Sequence, residues 1–333
     1  MRVVVADPPA FTPPYDHALA TALAREGAEV ELLTSRFRFG QAPVPAGYRR
    51  REVFYPLSSR LFRRSPLRLP LKVLEHPFGM ARLAAARADV VHLQWLGLPE
   101  ADAWLLRSRA PLVLTAHDLL PRRTARKQRL WQRLFDRFDR IVVHSERGRE
   151  TLAAFGVPEE KLRVIPHPVS PSEPAHADDG RTVLALGLVR PYKQLDHARK
   201  AVASIDGATL RVAGDANVFL PETEIARAIV ESTVAVFPYK AELDQSGALL
   251  RALGAGLPAV VYDVGGLAEP VRAFGAGRVV APDDVDSLAA AIRELLDDEG
   301  ALAQARAGAL RARAELTWAA SARAHLELYR ELA

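Results

Sequence analysis

Two cations, Arg190 and Lys193, follow directly on the apolar run 182–187 (TVLALG), which closes on Gly187. The run reads as a strand, so both cations stand just past a strand end, where their charge suits a diphosphate. Farther on, DQSGALLRALGAGLP (244–258) sets Ser246 and Gly247 immediately before an apolar helical run. A helix start carries free N–H groups and the positive end of the dipole, both of which attract phosphate. Gly247 permits close backbone approach. A third segment, DVGGLAEPV (263–271), places a Gly-Gly turn and Glu269 after the next strand. Taken singly, Ser246 is equally an N-cap, Gly247 a turn residue and the cations solvated. Together they point to a phosphate site.

The first half supplies acid–base groups instead. His92 and Gln94 end one apolar run, and His117 and Asp118 end another. A positioned imidazole titrates near neutrality, so His117 with Asp118 suits orienting or deprotonating a hydroxyl; a buried histidine bonded to backbone is the structural alternative. Asp7, Tyr15, Asp16 and His17 fall in the loop and helix start after the first strand, which suits substrate contact.

These groups need strands to hold them, and strands and helices alternate nearly throughout, the pattern of parallel sheets with helices on both faces. Apolar runs at 3–7, 30–34, 89–95, 111–118 and 140–145 predict one sheet, with a helix over 15–26 capped by Gly27. Runs at 182–187, 208–214, 233–239 and 258–266 predict a second. Between them PSEPAHADDG (171–180) has no apolar period and marks a boundary. A chain of 333 residues exceeds the roughly 250–300 at which one core stops growing. Two domains are therefore expected, 1–169 and 170–317, with a closing helix over 318–333 packing back on the first. Ligands in such sheets collect at strand carboxyl ends.

Composition closes off several chemistries. With no cysteine there are no disulfides, no thiolate catalysis and no Cys-ligated metal. The start MRVVVADPP lacks a cleavable leader pattern, and no apolar run approaches the roughly 18 residues of a membrane span, so a cytoplasmic protein is expected. Residues 1–170 hold 28 Lys+Arg against 17 Asp+Glu, while the remainder is net acidic. Either the first half meets something anionic or its arginines are simply solvated.

In order and spacing, DVVHLQW, LTAHD, RIVVHSERGRE, GLVRPYKQLD, LRVAGD, VFPYK and SGALLRALGAGLPAVVYDVGGLAEPV resemble the retaining glycosyltransferases of family 4. The resemblance covers nearly the whole chain. It implies the GT-B fold, two Rossmann-like α/β domains with parallel sheets facing a central cleft, the second holding a nucleotide sugar and the first most of the acceptor. It implies no metal and no cofactor beyond the donor. Arg190 and Lys193 match the pair that holds the donor diphosphate, Ser246 and Gly247 the helix start on the phosphates, and Glu269 the acid after the Gly-Gly turn. Val218, Phe219 and Leu220 fall where relatives read the base. The family's two glutamates fall on Leu243 and Arg251, so Glu242, Asp244 or Gln245 is expected to reach the sugar instead. The place of a second family histidine holds Gln94. One βα unit of the second domain is expected to be missing after LRVAGD.

Two basic segments remain. In 121–140, Leu130, Trp131, Leu134, Phe135 and Phe138 recur at helical spacing and read as core. In 58–72, SSRLFRRSPLRLPLK interleaves Arg with Leu and Phe in a Pro-broken stretch, suiting the inner face of a membrane or a lipid-linked acceptor, with a solvated loop as the alternative. No nucleic-acid signature accompanies the charge. The expected reaction is sugar transfer from a nucleoside-diphosphate sugar to a hydroxyl of a glycan, glycolipid or small molecule, with retention. A nucleotide-sugar epimerase of the same fold and a non-catalytic sugar-nucleotide-binding protein stand as the rivals.

Overall fold

The computed structural model describes residues 1–38, 40–61, 65–120, 124, 126–170, 176–214, 220–240 and 244–333. The chain forms two compact units: Met1–Ile165 together with Trp318–Ala333, and Pro166–Thr317.

The first unit runs β1 (Arg2–Asp7), α1 (Pro13–Arg25), β2 (Glu29–Ser35), β3 (Arg49–Phe54), α2 (Arg68–Ala84), β4 (Val90–Leu93), α3 (Pro99–Leu105), β5 (Leu112–Thr115), α4 (Gln128–Phe135), β6 (Arg140–Val143), α5 (Glu146–Phe155) and β7 (Leu162–Val164). All seven strands are parallel, in the order β3-β2-β1-β4-β5-β6-β7. Alternation along β1 sends Val3 and Val5 to one core and Val4 and Ala6 to the other, so this strand is buried on both faces. α1 packs Leu19, Ala20 and Leu23 on the sheet and ends at Gly27, whose φ of +91° lets its N–H bond the Ala24 carbonyl and that of Ala28 the Leu23 carbonyl.

The second unit runs β8 (Thr182–Leu186), α6 (Leu195–Ala203), β9 (Thr209–Ala213), α7 (Glu222–Val230), β10 (Val234–Phe237), α8 (Gly247–Gly254), β11 (Ala259–Tyr262), α9 (Ala268–Phe274), β12 (Gly277–Val280), α10 (Val285–Asp297) and α11 (Glu299–Glu315). Its five strands are parallel, in the order β12-β11-β10-β8-β9. Only eight residues lie between β9 and α7, and among the described residues this unit has five strands to the first unit's seven.

The last helix, α12 (Trp318–Arg330), returns to the first unit and lies on α1. It buries Ala322, Leu326, Leu328 and Tyr329 beside Val3, Val5 and Leu19. Each such large apolar side chain contributes roughly 1.5–3 kcal/mol.

Sequence expectation and structure part at two places. β3 begins Arg49-Arg50-Arg51, a run too polar to read as a strand; it is an edge strand on which Arg49 and Arg51 stay exposed and pair with Glu31 of β2, while half-buried Arg50 donates to the Pro43 carbonyl. The stretch 58–72 is not simply a Pro-broken loop. After a 3₁₀ turn at Ser58–Arg60, the 17-residue α2 begins at Arg68. Pro70 is tolerated because a first-turn N–H has no helical partner to lose. α4, by contrast, buries Trp131, Leu134 and Phe135 in the core as its spacing suggests.

One bond locks the returning helix. The Tyr329 hydroxyl lies 2.6 Å from His92 Nδ1, and both side chains are fully buried. Tyr329→Phe leaves that ring nitrogen without its partner, and chemical denaturation should show a loss of about 1–3 kcal/mol.

Candidate functional site

Parallel strands expose their carboxyl ends on one edge, and a crevice opens there where strand order reverses. In the second unit the reversal lies between β8 and β10. The loop after β8 makes a 3₁₀ turn, Pro191–Lys193, with Arg190 at its start. Lys193 Nζ folds back to donate to the Leu186 carbonyl at 3.0 Å and lies 5.2 Å from the centre of the Tyr239 ring, just past β10. Gly187 makes room for it. A Cβ on Gly187, whose φ is +91°, would sit 2.8 Å from Lys193 Nζ and 3.5 Å from the Ala248 Cβ in the first turn of α8. Gly187, Lys193 and the start of α8 therefore meet at one point. The Gly187 N–H also donates to the Ala213 carbonyl at 2.9 Å, and any side chain on Gly214 would strike the Gly187 carbonyl.

α8 starts with a capped, open first turn. The Ser246 hydroxyl accepts from the Leu249 N–H, Gly247 is exposed, and a Cβ there would meet only open space. Asp244 is buried at the loop's start. Gln245 Nε2 donates to the Gly266 carbonyl at 3.0 Å, tying this loop to the Gly-Gly turn, while its Oε1 is buried without a partner. Glu269 stands half-buried in the first turn of α9, after that turn. Arg251, at the place of a family glutamate, forms an ion pair with Glu222 of α7. Burial pushes the Lys193 ammonium down to about 8, and the neighbouring Arg190 charge adds to the effect. Of the residues expected to read a base or reach a sugar, Val218, Phe219 and Glu242 lie outside the described residues, and Leu220 packs partly buried against the core.

In the first unit the reversal lies between β1 and β4, and a cavity of about 640 Å³ opens there. His117 and Asp118, past β5, line it with Gln94 and Trp95, past β4. His117 stacks on Trp95 with centroids 5.1 Å apart, meets Tyr15 edge-on at 4.7 Å, and has its Nε2 3.0 Å from Gln94 Oε1. An amide oxygen only accepts, so His117 Nε2 carries the hydrogen. Gln94 thus orients His117, and the sequence signal for it was its position after β4.

Asp7 and Asp16 form a buried carboxyl pair beneath this wall. Thr12 donates its N–H to Asp7 Oδ2 at 3.1 Å, while its hydroxyl accepts from Trp95 Nε1 at 2.8 Å. Burial raises both carboxyls, Asp16 strongly because the Asp7 charge adds to its burial. Tyr15 is packed among His117, His144 and Trp318, and burial raises its hydroxyl. None of the expected residues Asp7, Tyr15, His17 and His92 lines the cavity itself, and the two histidines serve elsewhere. His92 is fully buried inside β4, with Nε2 2.8 Å from the Thr115 hydroxyl and Nδ1 on Tyr329, and burial holds it neutral well below the usual range. His17 lies on α1 against the Tyr48 hydroxyl at 3.0 Å.

A second buried relay reaches the same cavity unannounced by any motif. Tyr55, in left-handed backbone at φ +52°, lines the cavity and has its hydroxyl 2.8 Å from His76 Nδ1; His76 Nε2 is 2.7 Å from Asp102 Oδ1. Any side chain on Gly97 would strike the Tyr55 hydroxyl. Its members lie far apart in sequence, so no local spacing marks them.

Comparison with known proteins joins these observations. Residues 15–173 match the Glycosyltransferase Family 4 model and residues 180–298 the Glycosyl transferases group 1 model. An exopolysaccharide phosphotransferase of Streptomyces coelicolor is 30% identical over 49% of this chain, a match spanning only 20% of that protein. The D-inositol 3-phosphate glycosyltransferase of Mycobacterium marinum is 28% identical over 93% of this chain and 79% of its own length. Sucrose-phosphate synthase from Thermosynechococcus elongatus superposes with a TM-score of 0.74 at 20% identity, covering 100% of this chain and 99% of that one. Anabaena HepE in complex with UDP-glucose superposes at 0.69 and 16% identity, covering 100% of both. With two parallel α/β units of this build and two transferase models spanning most of its length, the chain is a GT-B glycosyltransferase of the family 4 type.

Proposed function

We propose that the protein moves a sugar from a nucleoside diphosphate to an acceptor hydroxyl with retention of configuration, binding the donor in its second unit and the acceptor in the cavity of its first. The observation that carries the donor assignment is the meeting of Gly187, Lys193 and the start of α8. Arg190, Lys193 and the helix start place positive charge where a departing diphosphate gathers negative charge, which is electrostatic stabilisation of the transition state without a metal cofactor. Asp244, Gln245 and Glu269 face the sugar, Gln245 through its unpaired Oε1. The acceptor oxygen bonds to the anomeric carbon on the face the diphosphate leaves, the bond to the diphosphate oxygen breaks, and the acceptor proton passes to that departing oxygen. Asp118 and the Gln94-oriented His117 hold the acceptor hydroxyl.

The acceptor is a glycan or lipid-linked molecule, and α2 docks on an anionic membrane. Pro70, Val73, Leu74, Pro77 and Phe78 form one exposed apolar stripe at helical spacing, with Leu74 68% and Phe78 72% exposed, while His76, Met80 and Leu83 face the core. Arg60 and Arg82 are exposed nearby and complement anionic lipid. No helix among the described residues is long and apolar enough to cross a membrane.

Arg190→Ala should lower turnover by at least about a hundredfold, as loss of a charge-stabilising donor typically does; wild-type rates would sink the diphosphate assignment. Lys193 loses its charge as pH rises through about 8, so calorimetry should show nucleoside-diphosphate affinity falling between neutral and alkaline pH. Lys193→Arg, which stays charged, should remove that fall. In flotation with phosphatidylglycerol vesicles the wild type should rise with the lipid and a Leu74→Asp/Phe78→Asp variant should stay behind; equal behaviour of the two would rule out docking through α2.

A further inference from the structure

Tyr239 stands where the pieces of the second unit's crevice meet, lining it together with Gly187 and Lys193. Its N–H donates to the Phe237 carbonyl at 2.9 Å, a tight turn around Pro238 that ends β10. Phe237 and Tyr192 lie nearly perpendicular to its ring, with centroids 5.7 and 5.8 Å away, and the residue is only 3% exposed. Packed so, the ring has little freedom to turn. The next residue, Lys240, donates its N–H to the Tyr192 carbonyl at 2.9 Å, which ties the segment after β10 to the 3₁₀ turn that carries Lys193. The Tyr239 hydroxyl is buried within reach of Ser246, the N-cap of α8. One side chain thus touches all three elements of the donor site.

Over the face of that ring lies the Lys193 ammonium, 5.2 Å from its centre. An ammonium has three N–H donors. One goes to the Leu186 carbonyl at 3.0 Å, and the ring face lies on another side. Neither partner neutralises the charge, because a carbonyl offers a dipole and a π face a quadrupole. Among the described residues no carboxylate pairs with Lys193, and the charge that bears on it is the like charge of Arg190. A half-buried ammonium loses hydration, which favours its neutral form unless something electron-rich replaces the water. The Tyr239 ring is that replacement.

We propose that Tyr239 is a positioning residue of the donor site: its ring face holds the Lys193 ammonium in place with its charge intact and an N–H left for the donor's phosphate oxygens. This rests on the donor reading of the second unit. A carboxylate in the same place would hold Lys193 more strongly, but it would cancel the charge and repel a diphosphate. An aliphatic side chain would fill the space and offer the ammonium nothing in place of water. The aromatic ring holds without cancelling.

The test follows Lys193 itself, by NMR titration of the full chain labelled with carbon-13 at the lysine ε-carbon, beside calorimetry with uridine, guanosine and adenosine diphosphates. In the wild type the ammonium should titrate near 8. Tyr239→Phe keeps the ring and should leave that midpoint in place. Tyr239→Leu should lower it by about one pH unit, the size expected for a desolvated cation–π contact. Pentafluorophenylalanine at position 239 has the shape of phenylalanine with the ring's polarity reversed, so it should lower the midpoint as leucine does without opening a cavity. That pair carries the test even where the leucine variant fails to fold. Relative to the wild type at the same pH, nucleotide binding by the leucine and pentafluorophenylalanine proteins should be weaker by up to about fivefold near pH 8 and alike near pH 6, where Lys193 is charged in all of them. A midpoint that stays put in the pentafluorophenylalanine protein, or an affinity loss equal at both pH values, overturns the role of the ring. Nucleotide binding that the ring does not affect sinks this proposal alone, whereas a wild type that binds none of the three nucleotides overturns the donor reading and the proposal with it.

Discussion

Every functional feature of this chain depends on one constraint of parallel sheets: each strand must be followed by a crossover before the next can pair, so all strand carboxyl ends face one edge. Where the crossovers reverse direction, between β1 and β4 and between β8 and β10, no loop crosses the gap and a crevice remains. The 640 Å³ cavity lies at the first of these places and Lys193 at the second. The fold makes the sites available, and the loops decide their chemistry.

The two sites are built by different means. In the second unit the missing side chains matter most: Gly187 and Gly214 let two loops and a helix start crowd around one ammonium. In the first unit large side chains do the positioning. Trp95, Tyr15 and Gln94 set His117, and Tyr55 sets Lys72. A crowded, backbone-built pocket suits a ligand common to a whole family, while a side-chain-built cavity is readily altered from one acceptor to another.

Much of this was legible in the sequence because parallel strands buried on both faces leave continuous apolar runs, and β1, β4, β5, β6, β8, β10 and β11 all announce themselves so. Loop residues that follow such runs were legible for the same reason, which is how Arg190, Lys193, His117 and Asp118 emerge. What stayed hidden lacked local period or depended on distant partners. β3 is an arginine-rich edge, α2 hides behind two prolines, and the Tyr55–His76–Asp102 relay joins three elements. His92 shows the converse: its position at a strand end suggested a substrate contact, but its partners Thr115 and Tyr329, one of them 237 residues away, make it part of the core.

That long-range partnership has a consequence for how the chain comes into being. The second unit is one uninterrupted segment, Pro166–Thr317, whereas the first is completed only when α12 arrives. During synthesis the middle of the chain can settle while the amino-terminal sheet still shows water the face that Leu326 and Tyr329 will cover. The unit made first is therefore finished last, and a nascent chain stalled before residue 318 would present a folded second unit beside an open, apolar first one.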